Sequence, residues 1–153
     1  MINIVLYSPE IPQNTGNISR TCAVTGARLH IIKPIGFEIS DRTLKRAGLD
    51  YWDKLDVKYY ENYEDFLGQN EDAELFFFSA HGKRSYADIE YPDGAFLVFG
   101  RESVGLPREL VKENVDRSVR IPMRKTLRCL NLSNSVAIAV YEVLRQNNFR
   151  GLE

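Results

Sequence analysis

Side chains able to do chemistry gather in three segments, each following a short apolar run. The first spans residues 8–17 and is polar, with Pro9 and Pro12 stiffening a loop that holds Asn14 and Gly16. Arg20 lies one to two turns into the helix that follows, on the side shared by Gly16 and Asn17. Alone, Arg20 reads as an ordinary surface arginine. With Asn14 and Gly16 it could hold a phosphate near a helix N-terminus. The second segment, residues 99–107, turns on Gly100 and Gly105, carries Glu102 and enters a helix at Pro107. Such glycines let backbone approach a ligand closely; the competing reading is a plain turn with a charged tip. The third runs from Ile121 and Pro122 to Asn131, Ser133, Asn134 and Ser135. A basic loop there leads into a helix start richer in Asn and Ser than a cap requires, although a polar helix start would also explain it.

The elements that must position these segments follow from periodicity. Apolar runs predict strands over 2–7, 29–33, 57–60, 75–79, 95–99 and 119–121. Helical patterns fill 14–25, 41–47, a stretch capped by Asn62 to about 67, 107–113 and 130–147. Strands apolar throughout are buried on both faces, which predicts an α/β fold, a mostly parallel sheet with helices on both faces. Ligand sites in such folds lie at the carboxyl ends of strands, where the three segments fall.

Composition bounds the rest. The chain has 153 residues and is expected to form a single domain over 1–153. It lacks the pattern of a signal peptide and any apolar stretch of membrane-spanning length, so a soluble, cytoplasmic protein is expected. Cys22 and Cys129 lie far apart, with only His30 and His81 to add to them, so no metal is expected and Cys22 is expected to be buried. The formal net charge of −1 gives no global attraction to nucleic acid, but the charges are segregated. Residues 61–74 carry only acidic charges; Arg117, Arg120, Arg124, Lys125 and Arg128 form a basic run. Arg42, Lys45 and Arg46 form a second cluster, Lys83 and Arg84 a third. Such runs are usually solvated faces; three of them favour a polyanionic partner. The final helix is apolar on more than one side, which reads either as a helix sunk in its own core or, the favoured reading, as one face on the sheet and the other against a second subunit.

The glycine fingerprint of a dinucleotide site and the phosphate-cradling Gly-x-x-x-x-Gly-Lys-Ser/Thr loop are both absent. Instead, Asn14-x-Gly16-x-x-x-Arg20, Phe99-Gly100-x-Glu102-x-x-Gly105-Leu106-Pro107, and Ile121-Pro122-Met123 followed by Leu130-Asn131-Leu132-Ser133-Asn134-Ser135 resemble the ordered motifs of the SPOUT class of RNA methyltransferases. The stretches 10–17 and 46–51 resemble its small tRNA wobble-position 2'-O-methyltransferases. This resemblance, over about 2–147, implies a C-terminal trefoil knot, which topology rules alone would argue against. It implies S-adenosylmethionine held by the knot loops, and a homodimer whose active site uses both subunits. Carried over by position, Phe78, Ser79, Gly100, Ile121, Cys129 and Leu130 would contact the cofactor, largely through backbone. Arg20 would be the catalytic arginine, with Glu102 and Asn131 completing the polar pocket. Cys129 departs from the pattern, because many relatives have Ser there; backbone contacts would survive the change, a role for a serine hydroxyl would not.

Arginine stays cationic across the physiological range, so Arg20 is expected to bind phosphate and stabilise developing charge first, and to abstract a proton second. The first predicted strand starts at Ile2, so no added RNA-binding domain is expected. Asn14, Arg42, Lys45, Arg46, Arg124, Lys125 and Arg128 are the candidate substrate contacts. The resemblance suggests the wobble cytidine or modified uridine of leucine tRNAs, in an exposed loop whose 2'-OH can be reached. Ribosomal RNA or another tRNA position stays open, as does a non-catalytic RNA-binding module.

Overall fold

The computed structural model describes residues 1–38 and 52–153. The predicted helix over 41–47, with Arg42, Lys45 and Arg46, lies outside the described residues. Strands β1 (Asn3–Tyr7), β2 (Arg28–Ile32), β3 (Val57–Tyr60), β4 (Leu75–Phe78), β5 (Arg84–Ser85), β6 (Phe96–Phe99) and β7 (Ser118–Arg120) form one sheet. The helices are α1 (Pro12–Thr25), α2 (Tyr63–Gln69), α3 (Arg108–Glu113) and α4 (Leu132–Gln146).

All pairings are parallel, in the order β3-β2-β1-β6-β4-β7-β5. The chain winds outward from β1 to β2 and β3, then crosses to the other side of β1 for β4 and the edge strand β5. It returns to insert β6 between β1 and β4, and β7 between β4 and β5. That reversal opens a crevice beside the carboxyl ends of β1 and β6.

Each central strand alternates between two cores. Ile4 and Leu6, Phe76 and Phe78, and Leu97 and Phe99 face α1 and α4, against Ile18, Cys22, Val136, Ala139 and Val140. Val5, Phe77 and Val98 face the other way, against Phe66 of α2 and Leu110 and Val111 of α3. Helices therefore cover both faces, as the unbroken apolar strands require. Phe66 is fully buried, and cutting it to Ala would cost about 3–5 kcal/mol. Cys22 is buried as expected, and burial pushes its thiol up to about 12, so it stays neutral.

Several boundaries differ from expectation. α1 starts at Pro12 rather than Asn14, because proline suits a first turn that needs no donor there. Gly26 ends it in the left-handed conformation, φ 73°. β7 closes at Arg120, leaving Ile121 in the following loop, and α4 begins at Leu132. β5, only two residues long, carries no readable period. α4 buries Val136, Ala139, Val140, Val143 and Leu144, while Ile138 and Tyr141 stay exposed.

One polar network sits inside the sheet. His30 is 1% exposed, its Nδ1 2.7 Å from the Tyr60 hydroxyl and its Nε2 3.0 Å from Asn3 Oδ1. Asn3 Nδ2 donates to Gly94, so its Oδ1 must accept and His30 carries its proton on Nε2. Tyr60 then donates to Nδ1 and accepts from Asn70. Burial, aided by Arg28 and Lys58, depresses the imidazole to about 4. The unfolded chain binds that proton at the ordinary 6.5, so stability must fall as pH drops from about 6.5 to about 4. We expect chemical denaturation to show a loss of up to about 3 kcal/mol across that window. His30→Gln should flatten this slope.

Candidate active site

The three chemistry-bearing segments meet beside the carboxyl ends of β1, β6 and β7. What joins them is a relay of side chains far apart in sequence. The Glu102 carboxylate accepts from the backbone N–H of Glu10 at 2.8 Å and of Ile11 at 3.1 Å, and from Asn14 Nδ2 at 3.4 Å. Asn14 Oδ1 in turn accepts from Asn131 Nδ2 at 3.0 Å. Asn131 Oδ1 caps α4, accepting from Ser133 N–H at 2.9 Å, Ser133 Oγ at 2.6 Å and Asn134 N–H at 3.4 Å. A reciprocal pair closes the clamp: Glu10 Oε1 accepts from Ser103 N–H at 3.1 Å and Ser103 Oγ at 2.6 Å.

The local chemistry explains why these groups are needed. α1 has no side-chain cap and no acidic residue in its first turn. Glu102, distant in sequence, supplies both the acceptors and the negative charge that a helix N-terminus favours. The bonds from Ser103, with Arg101 nearby, hold Glu10 below its ordinary carboxylate value. Gly100 is forced by space: a Cβ there would lie 2.1 Å from Gly105 C and Leu106 N. The loop folds back so tightly that Arg101 and Gly105 exchange backbone bonds of 2.9 and 3.3 Å.

Over this relay opens a cavity of about 670 Å³. Phe78, Ser79, Gly100, Ile121, Cys129 and Leu130 all line it, as do Asn14, Glu102, Arg128 and Asn131. Asn14 is 5% exposed with both ends of its amide engaged, so in this structure it positions the loops. Glu102 and Asn131 do the same. Arg20 sits on the exposed face of α1 and does not line the cavity of its own chain. Arg124 and Lys125 are exposed on the loop that carries Arg128. Ala80 and His81 also line the cavity, as do Met123 and Ser135 of the third motif segment, none of them among the candidate contact residues read from the sequence. The strand-end rule could have found Ala80 and His81, because they directly follow β4 and Ser79. Met123 needed the fold: its sulfur accepts from Leu130 N–H at 3.4 Å and closes the basic loop.

The lining suits a ligand with an apolar body and polar or anionic groups. Phe78, Phe99, Leu106, Ile121 and Leu132 give apolar walls, Ser79 and Ser135 give hydroxyls, and Arg101 and Arg128 give cations. The basic run of the sequence divides. Arg117 lies over the Phe76 ring at 5.7 Å, and Arg120 donates to Gly82 and Lys83 carbonyls. Arg84, from another cluster, is tied to the carbonyls of Asp116 and Asp88. These cations brace the fold, and Arg124, Lys125 and Arg128 remain on the loop at the cavity mouth.

Residues 1–141 match the family model for the SpoU rRNA Methylase family. A relative from Saccharophagus degradans, named tRNA (cytidine(34)-2'-O)-methyltransferase, is 45% identical over 152 residues, covering 99% of each chain. A solved structure concerned with the 2-OH methylation of C/U34 on tRNA superposes with a TM-score of 0.91 at 44% identity, covering 98% of each chain. An AdoMet-bound rRNA methyltransferase from Sinorhizobium meliloti superposes at 0.82 with 26% identity, covering 94% of this chain and 56% of that one.

The relay predicts a measurable cost. Glu102→Gln should weaken the charge-assisted bonds to the α1 N-terminus by about 1–2 kcal/mol, lowering the melting temperature by roughly 3–6 °C. Glu10, held below its ordinary 4.5, stabilises the clamp above that pH and loses this effect as pH falls through its lowered value. The protection of the Ser103 amide, its NMR-measured exchange rate taken relative to the intrinsic rate at each pH, should fall in that acid range.

Proposed function

Because the chain belongs to the SpoU rRNA methylase family, we propose that it transfers a methyl group from S-adenosylmethionine to a ribose 2'-OH of tRNA. The target we propose is the wobble nucleotide, cytidine or a carboxymethylaminomethyl-type uridine, of leucine tRNAs. The observation that carries this reading is the cavity where all three motif segments converge. When bound, the cofactor supplies a methyl already activated on a sulfonium. The chain has to hold a ribose oxygen in line and steady the charge that grows on it. Phe78, Ser79, Gly100, Ile121, Cys129 and Leu130 are the proposed cofactor contacts. Cys129 serves through its backbone, so the hydroxyl found in many relatives is dispensable here. Arg124, Lys125 and Arg128 take RNA phosphates, joined by Arg42, Lys45 and Arg46.

Arg20 binds the phosphate beside the reacting ribose and offsets charge on the oxygen. Its absence from the cavity of its own chain supports a homodimer in which Arg20 serves the partner's cavity. The exposed Ile138 and Tyr141 of α4, the helix packed beside α1, supply apolar surface for such a dimer. The trefoil knot belongs to the same reading. It is supported by β7 lying between β4 and β5 while α4 returns across the sheet to α1. A cytoplasmic, single-domain enzyme fits this activity.

The deciding experiment is methyl transfer from labelled S-adenosylmethionine to total tRNA, with nuclease mapping of the label. Label on the wobble ribose is expected. Label only on ribosomal RNA would keep the family and move the substrate; cofactor binding without transfer to any RNA would sink the enzymatic reading. Gly100→Ala should abolish cofactor binding in calorimetry, because its methyl displaces the loop backbone. Mixing Arg20→Ala with Gly100→Ala protomers should then restore roughly a quarter of wild-type activity, one site in each mixed dimer. No recovery would place Arg20 in its own chain's site. Arg20→Lys should lose most turnover, since ammonium lacks the planar fork.

A further inference from the structure

A second hollow, of about 430 Å³, opens on the other side of the loop that carries Glu102. It shares Arg101, Val104, Gly105 and Leu106 with the larger cavity, so the loop is a common wall. Its remaining lining is Tyr7, Pro107 and Arg108. Tyr7 closes β1, half-buried, and its ring is backed by Tyr63 at 5.9 Å between centroids. The ring is thus fixed from behind while one side meets the hollow. Val104, at the loop tip, is 74% exposed, an unusual position for an apolar side chain unless something covers it. Among the described residues no carboxylate lines the hollow, while Arg101 and Arg108 do. Arg101 is partly balanced by nearby Glu10.

The opposite edge of the sheet is built the other way. Around the starts of β4 and β6 a hollow is lined by Glu71, Asp72, Glu74 and Asp93. A polyanion is repelled there and drawn to the carboxyl edge, where Arg101, Arg108 and Arg128 stand.

An aromatic face, apolar neighbours and fixed cations together recognise a single-stranded nucleotide: the ring stacks a base and the guanidinium groups hold its phosphates. Resting on the methyltransferase reading above, we propose that the Tyr7 hollow is a subsite for the RNA nucleotide flanking the one methylated. The base stacks on Tyr7 against Val104 and Pro107. Its phosphate lies on Arg108 and Arg101. The shared wall sets this nucleotide beside the cavity, so the loop spaces the two nucleotides and fixes which ribose enters. Stacking tolerates any base, so the subsite supplies register and affinity more than sequence choice.

The test compares Tyr7→Leu, Tyr7→Phe and Arg108→Gln with the wild type. Anisotropy of a short fluorescein-labelled single-stranded RNA reads binding, and steady-state kinetics read KM for tRNA. Tyr7→Leu keeps apolar volume but removes the ring; it should weaken RNA binding and raise KM roughly 5- to 100-fold, with cofactor affinity unchanged. Tyr7→Phe should stay within about twofold, since stacking needs the ring and not the hydroxyl. Arg108→Gln should lower the slope of log Kd against log salt by about one. A folded Tyr7→Leu that binds RNA like the wild type overturns the subsite. Should Tyr7→Leu fail to fold, an unchanged salt slope in the exposed Arg108→Gln overturns it equally. Tyr7-dependent RNA binding without methyl transfer would keep the subsite and sink the reaction. Methyl transfer unaffected by all the variants would do the reverse, and a wild type that binds no RNA would end both.

Discussion

The site depends on one chain of hydrogen bonds, from the start of α1 through Glu102, Asn14 and Asn131 to the start of α4. Loops that follow parallel strands have no ladder to hold them, and these three belong to strands far apart in the chain. Each carries groups that cannot be satisfied alone. The first helix offers N–H groups with no local cap, the fourth needs an acceptor, and the Asn14 amide has a donor end and an acceptor end to join them. The result is mutual: Glu102 anchors the loop of Glu10 while Glu10 anchors the loop of Ser103. Removing one member leaves partners unsatisfied in a half-buried place, where a missing bond costs more than the bond itself contributes.

This economy separates positioning from chemistry. Polar residues that sequence reasoning groups as one pocket divide by what they touch. Asn14, Glu102 and Asn131 spend their capacity on each other, which keeps the cavity walls rigid before any ligand arrives. Glycine contributes in the same way: Gly100 lets backbone meet backbone where a side chain would force the loop outward. Beside Asn14, Glu102 and Asn131, which also line the cavity, a ligand would meet apolar walls, a few hydroxyls and the cations of the rim.

Charge explains how a chain of net charge −1 can suit a polyanion. Glu71, Asp72, Glu74 and Asp93 line a hollow at the amino edge of the sheet and Arg101, Arg108 and Arg128 stand at the carboxyl edge, so local fields differ between the edges although the net charge is small. Part of the basic sequence serves the fold instead, through Arg84, Arg117 and Arg120 on carbonyls and a ring.

The class of the fold, its parallel sheet with two covered faces and the carboxyl-edge location of the site were legible in the sequence, and the six cavity-lining positions from Phe78 to Leu130 came by carry-over from the family resemblance. The reason is physical: burial on both faces demands unbroken apolar strands such as Leu75–Phe78, and close backbone approach demands glycine at position 100. Family motifs in order supplied the rest of that reading. What the sequence could not carry is pairing between distant polar groups. That Glu102 caps a helix beginning at Pro12, that Tyr60 and Asn3 fix the tautomer of His30, and that Tyr7 faces a hollow shared with residues beyond 100 follow from strand order. Periodicity reports which face of an element is buried. Only the tertiary structure decides which side chains from different elements come within hydrogen-bond reach, because that depends on how loops cross the sheet edge.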